Sequence, residues 1–326
     1  ADMDFGTAPF IVDAIRKRCE CEVLGYTGKP DSYYRAIINW VKQRYDLDVT
    51  KEMINFVPGI VPGIGMAMNS FTRPGDKVMI QPPVYHPFAW VTTRNERTLV
   101  TNPLKWENGM YRMDLDAFRE QVKGCKLFIL CNPHNPGGVV WTEDELRTVA
   151  EICYEEKVLV FSDEIHADLT LPPYKHRPFA TISEKAKMNS VTFMSPSKAF
   201  NMPGLAASHA IIFNEDLRAR FRKFMDAGEL DMGHVFAFLS VEAAYTHGTE
   251  WLDQCLAYIQ GNIDYVDNFL KTHAPRIKAI RPQASYLVWL DCRELGLNQE
   301  ALNDFFADKA HLALNDGAMF GKEGTG

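Results

Sequence analysis

The fold of this chain is most tightly constrained by short, continuously apolar runs that alternate with stretches of helical periodicity. Residues 77–81, 126–131, 158–161, 191–194 and 208–213 each read as a strand. Runs apolar on both alternating faces need cover on both sides, which predicts a mostly parallel sheet. Between the second and third runs, Thr142 with Glu145 three residues on forms a capping box, and Leu146, Val149, Ala150 and Cys153 then recur at helical spacing. This alternation predicts an α/β domain with helices on both faces of its sheet. From about Val235 the pattern changes. A long helical stretch runs through Trp251 to Leu270, followed by strand-like 277–280 and 285–290 and a helix over 299–309. That reads as a smaller α+β unit, with which the N-terminal residues are expected to pack. A length of 326 residues suits two domains.

Composition excludes several classes. A formal net charge of -7 with no basic stripe argues against nucleic acid as a partner. No apolar run is long enough for a membrane span. The 7 cysteines, an odd number with several in apolar patterns, read as reduced, buried thiols of a cytoplasmic protein. Cys125, Cys131, His134 and His166 fit no zinc spacing, so no metal is expected. No secretory leader is read at the start, and a chain opening at Ala1 is expected to lack residues upstream.

Ligands of such sheets bind at the carboxyl ends of the strands. Three chemically capable residues follow strands there: Asn135 in Asn-Pro-His-Asn-Pro-Gly-Gly, Asp163 in Ser-Asp-Glu-Ile-His, and Lys198 in Ser-Pro-Ser-Lys. Singly, each has a plain account as a turn amide, a junction carboxylate or a surface lysine. Together they are the set that grips pyridoxal 5'-phosphate (PLP): a lysine for the Schiff base, a carboxylate for the pyridine nitrogen and an amide for the ring oxygen. His166 either orients Asp163 or the ring oxygen, or simply packs. The glycine-bearing stretch around Gly59 leads into an apolar helix over 64–71, where free N–H groups suit a phosphate. The spacing of Gly59, Gly63 and Gly65 does not fit a dinucleotide loop. Ser195 and Ser197 could add hydroxyls, and Tyr85 could stack on the cofactor or serve as ordinary core.

These motifs resemble fold-type I PLP enzymes of the class I/II aminotransferase superfamily, and more narrowly its cystathionine β-lyase-like, carbon–sulfur lyase branch. The likeness runs through Ala-Asp-Met-Asp-Phe at the start, Gly25-Tyr26-Thr27, Pro-Pro-Val-Tyr85, Pro-His-Asn135-Pro, Asp163-Glu-Ile-His166 and Asn315-Asp-Gly-Ala-Met-Phe320. It implies a large PLP domain over 26–260 with a mostly parallel seven-stranded sheet, and a small α+β domain from 1–25 and 261–326 that continues past Gly326. It implies a homodimer in which Tyr26 reaches the partner's phosphate. Ile60 and Val61 would supply phosphate-binding N–H groups, and Ala1 and Asp2 would line the substrate site. Ala206 stands where many aminotransferases carry a phosphate-binding arginine, which favours the lyase branch. The activity implied is β-elimination of L-cystathionine or related cysteine S-conjugates to thiol, pyruvate and ammonia, with Lys198 as the catalytic base. Transamination and a non-catalytic regulatory role on the same fold are the rivals. In the family an arginine that clamps the substrate carboxylate lies a few residues beyond the position of Gly326, so this segment is expected to hold PLP but turn over poorly.

Overall fold

The computed structural model describes residues 2–326. Helices α1 (Pro9–Cys19) and α2 (Asp31–Tyr45) precede β1 (Ile54–Val57), and α3 (Ile60–Phe71) follows it. Next come β2 (Lys77–Ile80), α4 (Pro87–Arg94), β3 (Thr98–Thr101), a hairpin of β4 (Lys105–Glu107) and β5 (Met110–Arg112), and α5 (Leu115–Gln121). The middle of the chain holds β6 (Cys125–Cys131), α6 (Glu143–Glu155), β7 (Leu159–Asp163), α7 (Glu184–Met188), β8 (Ser190–Met194) and β9 (Ser208–Ile211). Helices α8 (Glu215–Ala227), α9 (Val235–His247) and α10 (Thr249–His273) lead to the pair β10 (Lys278–Ile280) and β11 (Trp289–Asp291) and to α11 (Gln299–Asp304).

Seven strands form one sheet in the order β1-β9-β8-β7-β6-β2-β3. The pairings β3–β2, β2–β6, β6–β7 and β7–β8 are parallel, whereas β9 runs antiparallel to both β8 and β1. Only β9 is therefore reversed. The apolar runs explain the layering. Along β6, Leu127, Ile129 and Cys131 pack under α3, α4 and α8, while Phe128 and Leu130 pack under α5, α6 and α7. The pleat sends successive side chains to opposite faces, and both faces are covered. Phe128, Phe161 and Phe193 are fully buried, each contributing about 1.5–3 kcal/mol of transfer free energy. A further cluster joins Phe56, Met194 and Ile211 to Ile11, Trp40, Val241 and Leu252 of the helices at the sheet's other end. A small separate cluster gathers Ile277, Cys292 and Leu302.

The capping box at Thr142 forms as the sequence predicts, with Glu145 N donating to Thr142 Oγ1 at 3.2 Å and Thr142 N to Glu145 Oε2 at 2.8 Å. Elsewhere the structure differs from the sequence reading. Helix α3 starts at Ile60 rather than at 64, because Gly59 takes φ 118° and turns the chain straight out of β1. The long helical stretch breaks at Gly248. A Cβ there would stand 2.2 Å from the Ala244 carbonyl oxygen and 2.4 Å from the Phe200 ring, so the close approach admits only glycine. Residues 285–288 are not strand, since Ser285 N donates to Leu169 O at 2.9 Å and only 289–291 pair with β10. Cys19 and Cys21 are exposed, not buried, because α1 ends there facing solvent.

Candidate active site

Because only β9 is reversed, the carboxyl ends of β1, β2, β6, β7 and β8 and the start of β9 share one edge of the sheet. A cavity of about 240 Å³ opens there. Gly59 reaches it after β1, Tyr85 after β2, Asn135 after β6, Asp163 at the end of β7 and Lys198 after β8. The sheet topology thus brings together residues that lie far apart in sequence. Backbone bonds hold the loops in register: Asn132 N donates to Asp163 O at 2.9 Å, Tyr85 N to Asn135 O at 3.0 Å and Glu164 N to Phe193 O at 2.9 Å.

At one end, Asn135 Nδ2 donates toward His166 Nε2 at 3.3 Å. Burial and then the Lys198 charge lower His166 to about 3, so its ring is neutral. With Nε2 accepting, the ring proton sits on Nδ1. Asn135 Oδ1 and His166 Nδ1 are both buried and have no partner among the described residues. Asp163 is 3% exposed, and burial pushes it up to about 7, opposed by the Ile165 N–H that donates to Oδ1 at 3.1 Å. A cationic N–H donor facing this carboxylate would return it to its charged form. The buried Cys131 thiol lines the same wall, with its Sγ accepting from Asn135 N at 3.3 Å.

At the other end, the α3 N-terminus points its first turn at the cavity, and Gly59, Ile60 and Val61 line it. No side chain caps this helix, Gly63 N already donates to Gly59 O at 2.9 Å, and Pro62 has no N–H. The Ile60 and Val61 N–H groups are therefore the donors an anion would meet. Ser197 lines the cavity beside them. Ser195 does not: its hydroxyl donates to Ala207 O at 2.7 Å and accepts from Ser197 N at 3.1 Å, which braces the lysine loop from behind. Ala206, in the left-handed region at φ 47°, forms the neighbouring wall.

Lys198 Nζ stands 3.7 Å from Asp2 Oδ1. Tyr85 and Tyr286 flank the opening, both phenols pushed up by burial first, Tyr85 also by the Asp163 charge and Tyr286 by that of Asp2. Tyr286 and Cys131 were not read as site residues from sequence. Tyr286 lies in an aromatic-rich run that reads as core, and Cys131 in an apolar strand, although as the last residue of β6 it had to face the ligand edge. Tyr26 lies outside this cavity, 97% exposed, in a cleft beside Leu24 and Met232. Ala1 lies outside the described residues.

The residues present fit PLP: a lysine amine, a buried carboxylate wanting a cationic donor, an amide on the same wall, and an anion-binding helix start opposite. Cystathionine beta-lyase PatB of Bacillus subtilis is 39% identical, covering 100% of this chain and 85% of the relative. Cystalysin from Treponema denticola, solved with pyridoxal 5'-phosphate, superposes with a TM-score of 0.97 at 35% identity, covering 100% of this chain and 83% of that one. The PLP-bound C–S lyase from Staphylococcus hominis does so with a TM-score of 0.92 at 35% identity, covering 100% and 84%. Residues 2–326 match the family described as aminotransferase class I and II, and the chain belongs to that family.

Proposed function

We infer that the protein is a PLP-dependent carbon–sulfur β-lyase that cleaves L-cystathionine or related cysteine S-conjugates to a thiol, pyruvate and ammonia. The observation that carries the cofactor and its chemistry is the convergence of Asn135, Asp163 and Lys198 on one cavity. The full-length likeness to a cystathionine beta-lyase carries the choice of elimination.

When bound, PLP supplies a carbonyl carbon that amines bond to and a pyridine ring that takes up electrons from the substrate Cα. The chain's own residues do the rest. Lys198 would hold the cofactor through its Nζ, and the same amine, when free, would stand as the general base for the Cα proton. Asp163 keeps a proton on the pyridine nitrogen. The second Nδ2 hydrogen of Asn135 is available for the ring oxygen, with His166 fixing the amide. The Ile60 and Val61 N–H groups and the Ser197 hydroxyl hold the phosphate. Tyr85, Tyr286 and Leu287 line the cavity, where Tyr85 would lie against a bound ring and the other two would limit water.

The protein is proposed to act as a homodimer with Tyr26 reaching the partner's phosphate. The almost complete exposure of this ring, next to exposed Leu24 and Met232, supports that reading. Free thiols at all seven cysteines, two of them exposed, support a cytoplasmic setting. Among the described residues no helix is long and apolar enough to cross a membrane.

The deciding experiment is pyruvate release from L-cystathionine without a 2-oxo-acid acceptor. Pyruvate is expected; dependence on an acceptor would establish transamination instead. Lys198→Ala is expected to lose both turnover and the visible absorbance band of the lysine-bound cofactor.

A further inference from the structure

Residues 282–287 thread between two loops of the cavity. On one side, Gln283 N and Ala284 N both donate to Gly138 O, at 2.7 and 3.0 Å, in the turn that follows Asn135. The buried Gln283 side chain reaches the same turn, where its Oε1 accepts from Val140 N at 2.9 Å. On the other side, Leu171 N donates to Gln283 O and Ser285 N to Leu169 O, both at 2.9 Å, and Thr170 pairs with Ala284 in an antiparallel bridge. Those partners follow His166 closely in the chain. Gln283 alone thus bonds the loop after β6 to the segment after β7. The approach is close: a Cβ on Gly138 would stand 2.4 Å from Pro282 Cβ.

The threading fixes what comes next. Ser285 takes φ 81°, a left-handed conformation rare for residues other than glycine. Such a backbone persists only where the surroundings impose it. Here the Leu169 carbonyl holds the Ser285 N–H, and Ser285 Oγ accepts from Leu287 N at 3.3 Å. The bend delivers Tyr286 and Leu287 to the cavity, with the Tyr286 ring centroid 6.3 Å from that of His166.

We propose that Gln283 is a positioning residue for the substrate: by bonding both loops it seats Tyr286 and Leu287 where the substrate side chain leaves the cavity. The inference rests on the cavity holding PLP at Lys198. An amino acid bound there would extend its side chain through the opening that Tyr286 flanks. A wall at that place gains contact with each methylene of a long side chain and little with a methyl group. Gln283 does not itself line the cavity, so it acts through these two neighbours.

The test is a spectral titration of the cofactor-loaded protein with L-norleucine and with L-alanine, neither of which carries a leaving group. Gln283→Met keeps the length of the side chain and loses the acceptor for Val140 N. It should weaken norleucine binding roughly 3- to 10-fold, the worth of one hydrogen bond, and leave the affinities for alanine and for PLP unchanged. Gln283→Glu keeps an acceptor and should restore norleucine binding. Unchanged norleucine binding in Gln283→Met overturns the inference. So do equal losses for norleucine, alanine and PLP, which would make Gln283 a residue of the fold alone. Failure of the underlying reading shows differently: the wild-type cofactor band would respond to neither amino acid, or Lys198→Ala would retain it, and the inference falls with it.

Discussion

Asn135 Nδ2 and His166 Nε2 meet at 3.3 Å inside the cavity, and each side chain keeps one more buried polar atom that has no partner among the described residues. A pair so arranged is held in place by one bond and left incomplete by design of the site. Asn135→Ala removes the donor proposed for the cofactor ring oxygen and leaves His166 Nε2 without the Asn135 amide. One such loss costs about 1–3 kcal/mol, so PLP should bind roughly 10- to 100-fold more weakly. Fluorescence titration of the cofactor-free variant with PLP checks this; wild-type affinity would assign the ring oxygen to another donor.

Asp163 makes the cofactor-free protein sensitive to pH. Burial raises its carboxyl to about 7, so the folded chain keeps a proton that the unfolded chain releases above about pH 4. The stability linked to this group is fully present below that pH and is lost as pH rises through about 7. Asp163→Asn removes the dependence. Between pH 5 and pH 8, cofactor-free wild type should lose roughly 2–3 kcal/mol relative to the variant in denaturant melts. Parallel stability curves would contradict the assignment.

His209 acts in the opposite direction. It is fully buried in β9, both ring nitrogens lack partners among the described residues, and burial lowers it to about 3. Its stability contribution is present above the unfolded value of about 6.5 and is lost as pH falls, because the unfolded chain takes up the proton first. At pH 5 this amounts to about 2 kcal/mol. His209→Leu should therefore unfold at lower pH than wild type in an acid titration followed by circular dichroism.

Gly59 carries the phosphate reading. Its φ of 118° with ψ of 156° lies in a region that side chains strongly resist, at about 1–3 kcal/mol. Gly59→Ala should lower the melting temperature and weaken PLP binding, while affinity for pyridoxal without the phosphate changes little. Equal losses for both ligands would move the phosphate away from the start of α3.

Behind Asp163, Glu164 and His176 form a wholly buried pair at 2.8 Å, with Ser162 Oγ donating to the same carboxylate at 2.7 Å and Phe179 N at 2.8 Å. His176→Ala removes one of the three hydrogen bonds to the buried Glu164 carboxylate, a loss of roughly 1–3 kcal/mol. Denaturant unfolding measures it, and a loss below 1 kcal/mol would mean that Ser162 and Phe179 suffice.

The ligand edge was legible in the sequence because the five apolar runs are buried on both faces, and a strand so buried announces itself by composition. Strands β1 and β3 escaped notice. Both lie at the edges of the sheet; β3 has a half-exposed pattern that carries little signal, and β1 is interrupted by the polar Asn55. The pairing of Asn135 with His166 and the exclusion of Ser195 from the cavity depend on side-chain direction in loops, which no periodicity encodes. The bonds from Asn201 Nδ2 to Met3 O and Phe5 O are silent for the same reason, since nothing near either position names the other.

The shared edge of the sheet has one more consequence. Because the gripping groups arrive from five different strands, whatever fills the cavity also fastens those strands to one another. Occupancy at a hundredfold excess over the dissociation constant adds about 2.7 kcal/mol to a folded chain, a substantial fraction of ordinary domain stability. Vitamin supply would then govern how long each molecule survives cellular proteolysis as well as how fast it works.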